Sequence, residues 1–187
     1  MYQICVSGAA RGESVEEGKL LAQKLGAAIA AAGHSLLTGA TIGLPNYAAM
    51  GYKKAGGKMS VGISPAASKV EHVIKYRLPT KDYDTILYTG LHYVGRDALL
   101  ITSSDAVVSI GGRLGTLHEF TIAMESETPI GFLQGAGGIS EEIQTLMSLA
   151  SPVKKKSEVF FHESAEVLIE ELTHYLDNEY SKYLDIY

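Results

Sequence analysis

Residues Val107 to Ile110 form a short apolar run that breaks at Gly111 and Gly112, after which Leu117, Phe120, Ile122 and Ala123 recur at helical spacing. A run of this kind suits a strand covered on both faces, as strands of parallel sheets are. The order strand, glycine turn, helix admits few folds. It also aims the unpaired amides and the positive dipole end of a helix at one spot beyond the strand's carboxyl end. Such a spot suits an anion, most often phosphate. Thr116 either caps this helix or offers its hydroxyl to a ligand oxygen. Glu119 lies three residues on. That is the spacing of a capping box with Thr116, and equally a way to bring a carboxylate into the same cleft.

The alternation of strand and helix runs the length of the chain. Ile4-Cys5-Val6 reads as the first strand, followed by a small-residue turn from Ser7 to Gly12. Gly8 in that turn suits a backbone that lies close to a ligand. The turn is not Gly-x-Gly-x-x-Gly, so a dinucleotide fingerprint is absent. A helix from about Ser14 to Ala32 follows, with Ser14 and Glu17 as its capping box and Gly33 just past its end. Ser35 to Thr38 reads as a second strand, leading into a further small-residue turn that holds Gly39 and Gly43. Pro45 suits the first turn of the next helix. Met59 to Ile63 is a third strand. Residues 64–82 carry no clear period, and a stretch this long inside a domain is either functional or a surface excursion.

A short strand from Asp84 to Tyr88 precedes a helix from Leu91 to Ser103, with Val94, Ala98, Leu99 and Ile101 expected to face inward. Further strands are expected at Pro129 to Leu133 and Val159 to Phe161. The turn Gln134 to Gly138 reads as rim, because Glu141 and Glu142 after it disfavour phosphate. Lys154-Lys155-Lys156 reads as a solvated loop. A terminal helix from about Ser164 places Leu168, Leu172, Tyr175, Leu176, Tyr180, Tyr183 and Leu184 on one stripe, and its tyrosines, Tyr187 included, also suit a partner surface. This pattern predicts one α/β domain over residues 1–187. It is a Rossmann-like, doubly wound sandwich with a mainly parallel sheet and helices on both faces.

Composition narrows the function. A net charge of −5 argues against a general binder of nucleic acid, which would carry a basic face. The chain has one cysteine, Cys5, so a disulfide framework is excluded. The six histidines do not fall at ligand spacings, and neither a metal nor an organic cofactor is expected. No apolar run approaches the roughly 20 residues of a membrane span, and the chain opens directly on a strand. A cytoplasmic protein without membrane contact is therefore expected.

The stretch from Gly111 to Glu119 resembles the Pro-Gly-Gly-x-Gly-Thr-x-x-Glu signature of the LOG family, whose members include cytokinin nucleoside 5′-monophosphate phosphoribohydrolases. It is also similar to the related molybdenum-cofactor carrier proteins. Gly112, Gly115, Thr116 and Glu119 match. Gly111 stands in place of the proline, and Arg113 in place of the second glycine. The turn from Gly39 resembles the family's Gly-Gly-Gly-x-x-Gly-Leu-Met-Gly stretch at Gly39, Gly43 and Leu44. Arg96-Asp97 occupies the place of the family's catalytic arginine, one helix and one strand before the signature.

The resemblance implies Glu119 and Arg96 as catalytic residues. It implies Gly8, Gly39, Gly43, Gly111, Gly112, Arg113, Gly115 and Thr116 as the phosphate and nucleotide site, and a homodimer. The expected partner is a nucleoside monophosphate or a related phosphorylated small molecule. Two functions fit: cleavage of an N-glycosidic bond to free base and ribose 5-phosphate, or a carrier or sensor that binds a nucleotide or a molybdopterin-type cofactor without turnover. Arg113 either adds a phosphate-binding charge or narrows the pocket.

Overall fold

A computed structural model describes residues 1–150 and 158–183. Seven strands alternate with six helices. They are β1 (Gln3–Gly8), α1 (Glu13–Ala31), β2 (Ser35–Thr38), α2 (Leu44–Lys54), β3 (Ser60–Ser64), β4 (Thr85–Tyr88), α3 (His92–Thr102), β5 (Ala106–Ile110), α4 (Leu114–Glu125), β6 (Ile130–Leu133), α5 (Ile139–Ala150), β7 (Val159–His162) and α6 (Ala165–Ser181). The strands form one sheet in the order β4-β3-β2-β1-β5-β6-β7, and every pairing is parallel. The doubly wound α/β expectation is met, and "mainly parallel" becomes wholly parallel among the described residues. The order turns at β1, which bonds to β2 on one side and β5 on the other. Open α/β sheets leave a crevice at that switch point, outside the carboxyl ends of the strands.

Alternation along β1 feeds two cores. Ile4 and Val6 join Leu25 and Ile29 of α1, Ala48 of α2 and Leu168 and Leu172 of α6 on one face. Cys5 points the other way, with Leu100 and Ile101 of α3, Phe120 of α4 and Ile143 of α5. Each large aliphatic side chain buried in this way contributes roughly 1.5–3 kcal/mol. Phe132 on β6 fills the second core, edge-on to Phe120 at 5.7 Å and stacked on Phe161 at 5.4 Å. On the first face, α1 and α2 cross so closely that a Cβ on Gly26 would run into the Ala48 carbonyl, and one on Gly51 into the Gln23 carbonyl.

Several boundaries differ from the sequence reading for stated reasons. α1 starts one residue earlier than expected, with Gly12 at its N-cap and no side-chain cap, so Ser14 and Glu17 do not form the capping box. α4 starts at Leu114 with Arg113 at its N-cap. Thr116 is therefore the third helical residue and cannot cap, and the Thr116–Glu119 box does not form. Ser164 does cap α6, accepting from the Val167 amide at 3.4 Å.

The face of α3 is the largest correction. Its inward residues are Arg96, Asp97, Leu100 and Ile101. Ala98 and Leu99 are exposed, and Val94 is 70% exposed. The polar pair turns inward because its counter-charges and carbonyl partners lie there. Segment 64–82 is also more ordered than its lack of period suggested. It contains a single π-helical turn, Glu71–Lys75, stitched down by the buried His72. His72 Nε2 donates to the Pro79 carbonyl at 3.0 Å, and Nδ1 pairs with Ser64 Oγ at 2.8 Å.

In α6, Leu168, Leu172 and Leu176 are core, Tyr175 packs on Phe160, and Tyr180 is stacked on Tyr2 and donates to Asp105 at 2.8 Å. Tyr180 keeps these contacts while 40% exposed, and Tyr183 is 49% exposed. The Lys154–Lys156 run, Leu184 and Tyr187 lie outside the described residues. No helix is long and apolar enough to cross a membrane.

Candidate functional site

A cleft of about 330 Å³ opens at the switch point. Its floor is the carboxyl end of β1. Its walls are the turns after β1, β2 and β5 together with the inward faces of α3 and α4. The structure brings Gly8, Gly39, Arg96, Arg113, Gly115, Thr116 and Glu119 together as its lining. Gly43, Gly111 and Gly112 stand behind that lining.

The turn after β5 carries positive φ at Gly111 (59°) and Gly112 (96°), a geometry that glycine adopts without strain. The first amide bonded within α4 is Leu117, to the Arg113 carbonyl at 3.0 Å. The amides of Leu114, Gly115 and Thr116 thus have no partner inside the helix. A Cβ at Gly112 would collide with the Thr116 side chain, whereas a Cβ at Gly115 would meet nothing. Packing therefore demands glycine at Gly112 but not at Gly115, whose bare α-carbon fronts the cleft. From below, the Ile139 amide donates to the Gly112 carbonyl at 2.9 Å and Ser140 Oγ donates to the Gly111 carbonyl. The Gln134–Gly138 turn, read from sequence as rim, leads into the buttress of this loop.

Gly39 has a different cause. The Arg96 guanidinium lies across its α-carbon, and a Cβ there would strike it. Arg96 is only 3% exposed. Its Nη1 donates to the Ile63 carbonyl at 3.0 Å, and its Nε sits 3.0 Å from Asp97 Oδ1 as an ion pair. Burial raises the Asp97 carboxyl above its ordinary value, with the charge of Arg96 opposing. Gly8 is glycine because a Cβ would meet Ile110 on the neighbouring strand, and Gly43 because it caps α2 at φ +84° against Ala9 and Ala10.

Glu119 is half-buried on the first-turn side of α4, and Ser7 at the end of β1 donates its hydroxyl to Glu119 Oε2. Burial and then the neighbouring Asp97 push the Glu119 carboxyl up to about 7, against the pull of the Ser7 hydrogen bond and Arg96. A carboxyl at that value exchanges protons near neutrality, as a general acid or base must. Arg113 lines the cleft, and among the described residues it pairs with no acid. Its Nη2 donates to the Arg11 carbonyl at 3.0 Å, so the side chain bridges two loops at the rim. Ser7, Asp97 and Tyr93 line the cleft without having been singled out as site residues from the sequence. Ser7, a polar residue closing an apolar strand, was the one local signal. Among the described residues no group of histidine, cysteine and acidic side chains is placed to hold a metal.

Residues 1–169 match the model of the SLOG cluster4 family. The chain belongs to that family. Solved structures agree on the fold. TM1055, a structural-genomics target, superposes with a TM-score of 0.81 at 24% identity, covering 93% of this chain and 99% of its own. A molybdenum cofactor binding protein from Rippkaea orientalis gives 0.73 at 28% identity, over 93% and 96% of the two chains. The molybdenum cofactor carrier protein of Chlamydomonas reinhardtii gives 0.71 at 27%, over 92% and 98%. SLOG cluster4 membership and these neighbours agree with the LOG-like fold that the glycine motifs implied.

Proposed function

We propose that this SLOG protein is a nucleoside 5′-monophosphate phosphoribohydrolase. The observation that carries the reading is Glu119: a carboxyl near pKa 7, held by Ser7, in a cleft that Gly115 and Thr116 of the first turn of α4 also line. The phosphate sits on the amides of Leu114, Gly115 and Thr116, with the bare Gly115 giving it room and Arg113 reaching it from the rim. That anchor places the ribose over Glu119. The ionised carboxylate takes a proton from water as the water attacks C1′, and the bond from C1′ to the base breaks. Arg96, already oriented by Ile63 and Asp97, stabilises the negative charge that develops on the departing base. The protein works as a homodimer, supported by the exposed apolar residues Leu91, Val94 and Leu99 along α3, and in the cytoplasm, where Cys5 stays a thiol.

Incubation with a panel of nucleoside 5′-monophosphates, with free base followed by chromatography, tests the reading. Release of base from at least one monophosphate and none from its nucleoside is the expected result. A second reading, a carrier of a molybdopterin-type cofactor, draws on the similarity to the R. orientalis and C. reinhardtii proteins. Tight binding with no release of base from any monophosphate favours the carrier and overturns the hydrolase.

A further inference from the structure

We propose that Tyr93 is the wall against which the planar ring of the ligand stacks, and that segment 64–82 is the strap that holds this wall in place. The inference rests on the nucleotide reading above and names the part of the ligand that the rest of the cleft leaves unassigned. The phosphate loop, Glu119 and Arg96 account for phosphate, sugar and glycosidic bond. Tyr93, in the first turn of α3, lines the same cleft and is 46% exposed.

Half-exposed tyrosines are common on protein surfaces, but this one packs on a second ring and follows an anchored residue. The Tyr76 and Tyr93 rings meet edge to face, with centroids 5.6 Å apart at 79°. The Tyr76 hydroxyl is hydrogen-bonded to Nδ1 of His92, the residue before Tyr93, at 2.9 Å. His92 itself holds a left-handed φ of 56°, uncommon for a residue with a side chain although histidine tolerates it better than most. Its amide donates to the Pro65 carbonyl at 3.1 Å, and Gly90 donates to Ala66 at 2.9 Å. The beginning of the strap and Tyr76 therefore meet at the start of α3, buried His72 pins the stretch between them, and the far end is tied to β3 where Ser60 Oγ donates to the Asp82 carbonyl at 3.0 Å.

A rigid aromatic face beside a cleft recognises a flat π-system, and stacking of this kind tolerates different bases because each has a π-face. The ligand class that follows is a heteroaromatic ring joined to a sugar phosphate. A sugar phosphate alone gains nothing from this wall. Tyr93 is a binding residue in this account, and Tyr76 is a positioning residue that acts through it.

Calorimetric titration of the full chain with adenosine 5′-monophosphate, guanosine 5′-monophosphate and ribose 5-phosphate reads the contribution of the ring as a ratio of dissociation constants. The wild type binds at least one nucleotide about tenfold or more tighter than ribose 5-phosphate. Tyr93→Ala closes that gap, weakening the nucleotide by about ten- to a hundredfold while ribose 5-phosphate stays within about twofold. Tyr93→Phe keeps the gap, and Tyr76→Phe narrows it without touching the sugar phosphate. A gap that survives in a folded Tyr93→Ala protein overturns the proposal and leaves the nucleotide reading standing. The same holds if the wild type binds nucleotides and ribose 5-phosphate equally. A wild type that binds none of the three overturns both.

Discussion

Glu119 owes its proton affinity mainly to burial, and that has a consequence for stability. The unfolded carboxyl ionises near its ordinary 4.5, while the folded one keeps its proton up to about 7. Between those values the native state binds more protons than the unfolded one. Stability therefore falls as pH rises through this window and levels off above about 7. Glu119→Gln removes the penalty and keeps an acceptor for Ser7. The variant should gain on the wild type as pH rises from 5 to 8.5, by about 3 kcal/mol at most, since one pKa unit is worth about 1.4 kcal/mol. Asp97 is raised too, but it is common to both proteins and largely cancels. Paired thermal melts across that range check it. A difference in melting temperature that does not change with pH would remove burial as the cause.

At the level of elements, glycine sets the closeness of the α1–α2 crossing. Gly26 lies against Ala48 and Gly51 against Gln23, and each would drive a Cβ into the opposite backbone. Gly26→Ala gains up to about 1 kcal/mol of helix propensity but must push a pair of packed helices apart, which costs about 1–3 kcal/mol or more. The collision is with a carbonyl and not with a flexible side chain, so the cost wins. Melting should fall by roughly 3–10 °C, at about 2–4 °C per kcal/mol for a chain of this size. A melting temperature at or above that of the wild type would show that the crossing can widen freely.

Strands and helices of this kind were legible because they are written in local periods: apolar β5 runs straight into Gly111 and Gly112, and Gly33 ends α1 with φ +74°. The face of α3 was not legible. Val94 and Leu99 look like core by hydropathy, yet Arg96 and Asp97 pair inside, and Arg96 reaches the Ile63 carbonyl across 33 residues of chain. The same distance hid Ser7, whose partner Glu119 is 112 residues away, and the buttress that Ser140 gives Gly111. The excess glycines around the cleft were legible as a cluster. Their individual causes, Arg96 over Gly39 and open space at Gly115, were not.

At the scale of the molecule, one face of the sheet is better clothed than the other. The α1, α2 and α6 side exposes Leu20, Met50 and Val167, one on each helix, while the α3 and α4 side leaves Leu91, Val94, Leu99 and Leu114 exposed. The proposed homodimer would cover them. Sedimentation at micromolar concentration should give twice the 20.0 kDa chain mass. Val94→Asp with Leu99→Asp should return the monomer without unfolding it, because neither side chain is in the core. A wild type that sediments as a monomer would refute this use of the face.

The buttress beneath the glycine loop bears on how the protein is made. Synthesis proceeds from the amino end, and β1, β2 and β5, with all the side chains that line the cleft, have been made once residue 119 is added. The loop that would grip an anion is still unsupported at that moment, because its two carbonyls wait for Ile139 and Ser140. The groups proposed to face a ligand are thus made some twenty residues before the platform that holds their loop still.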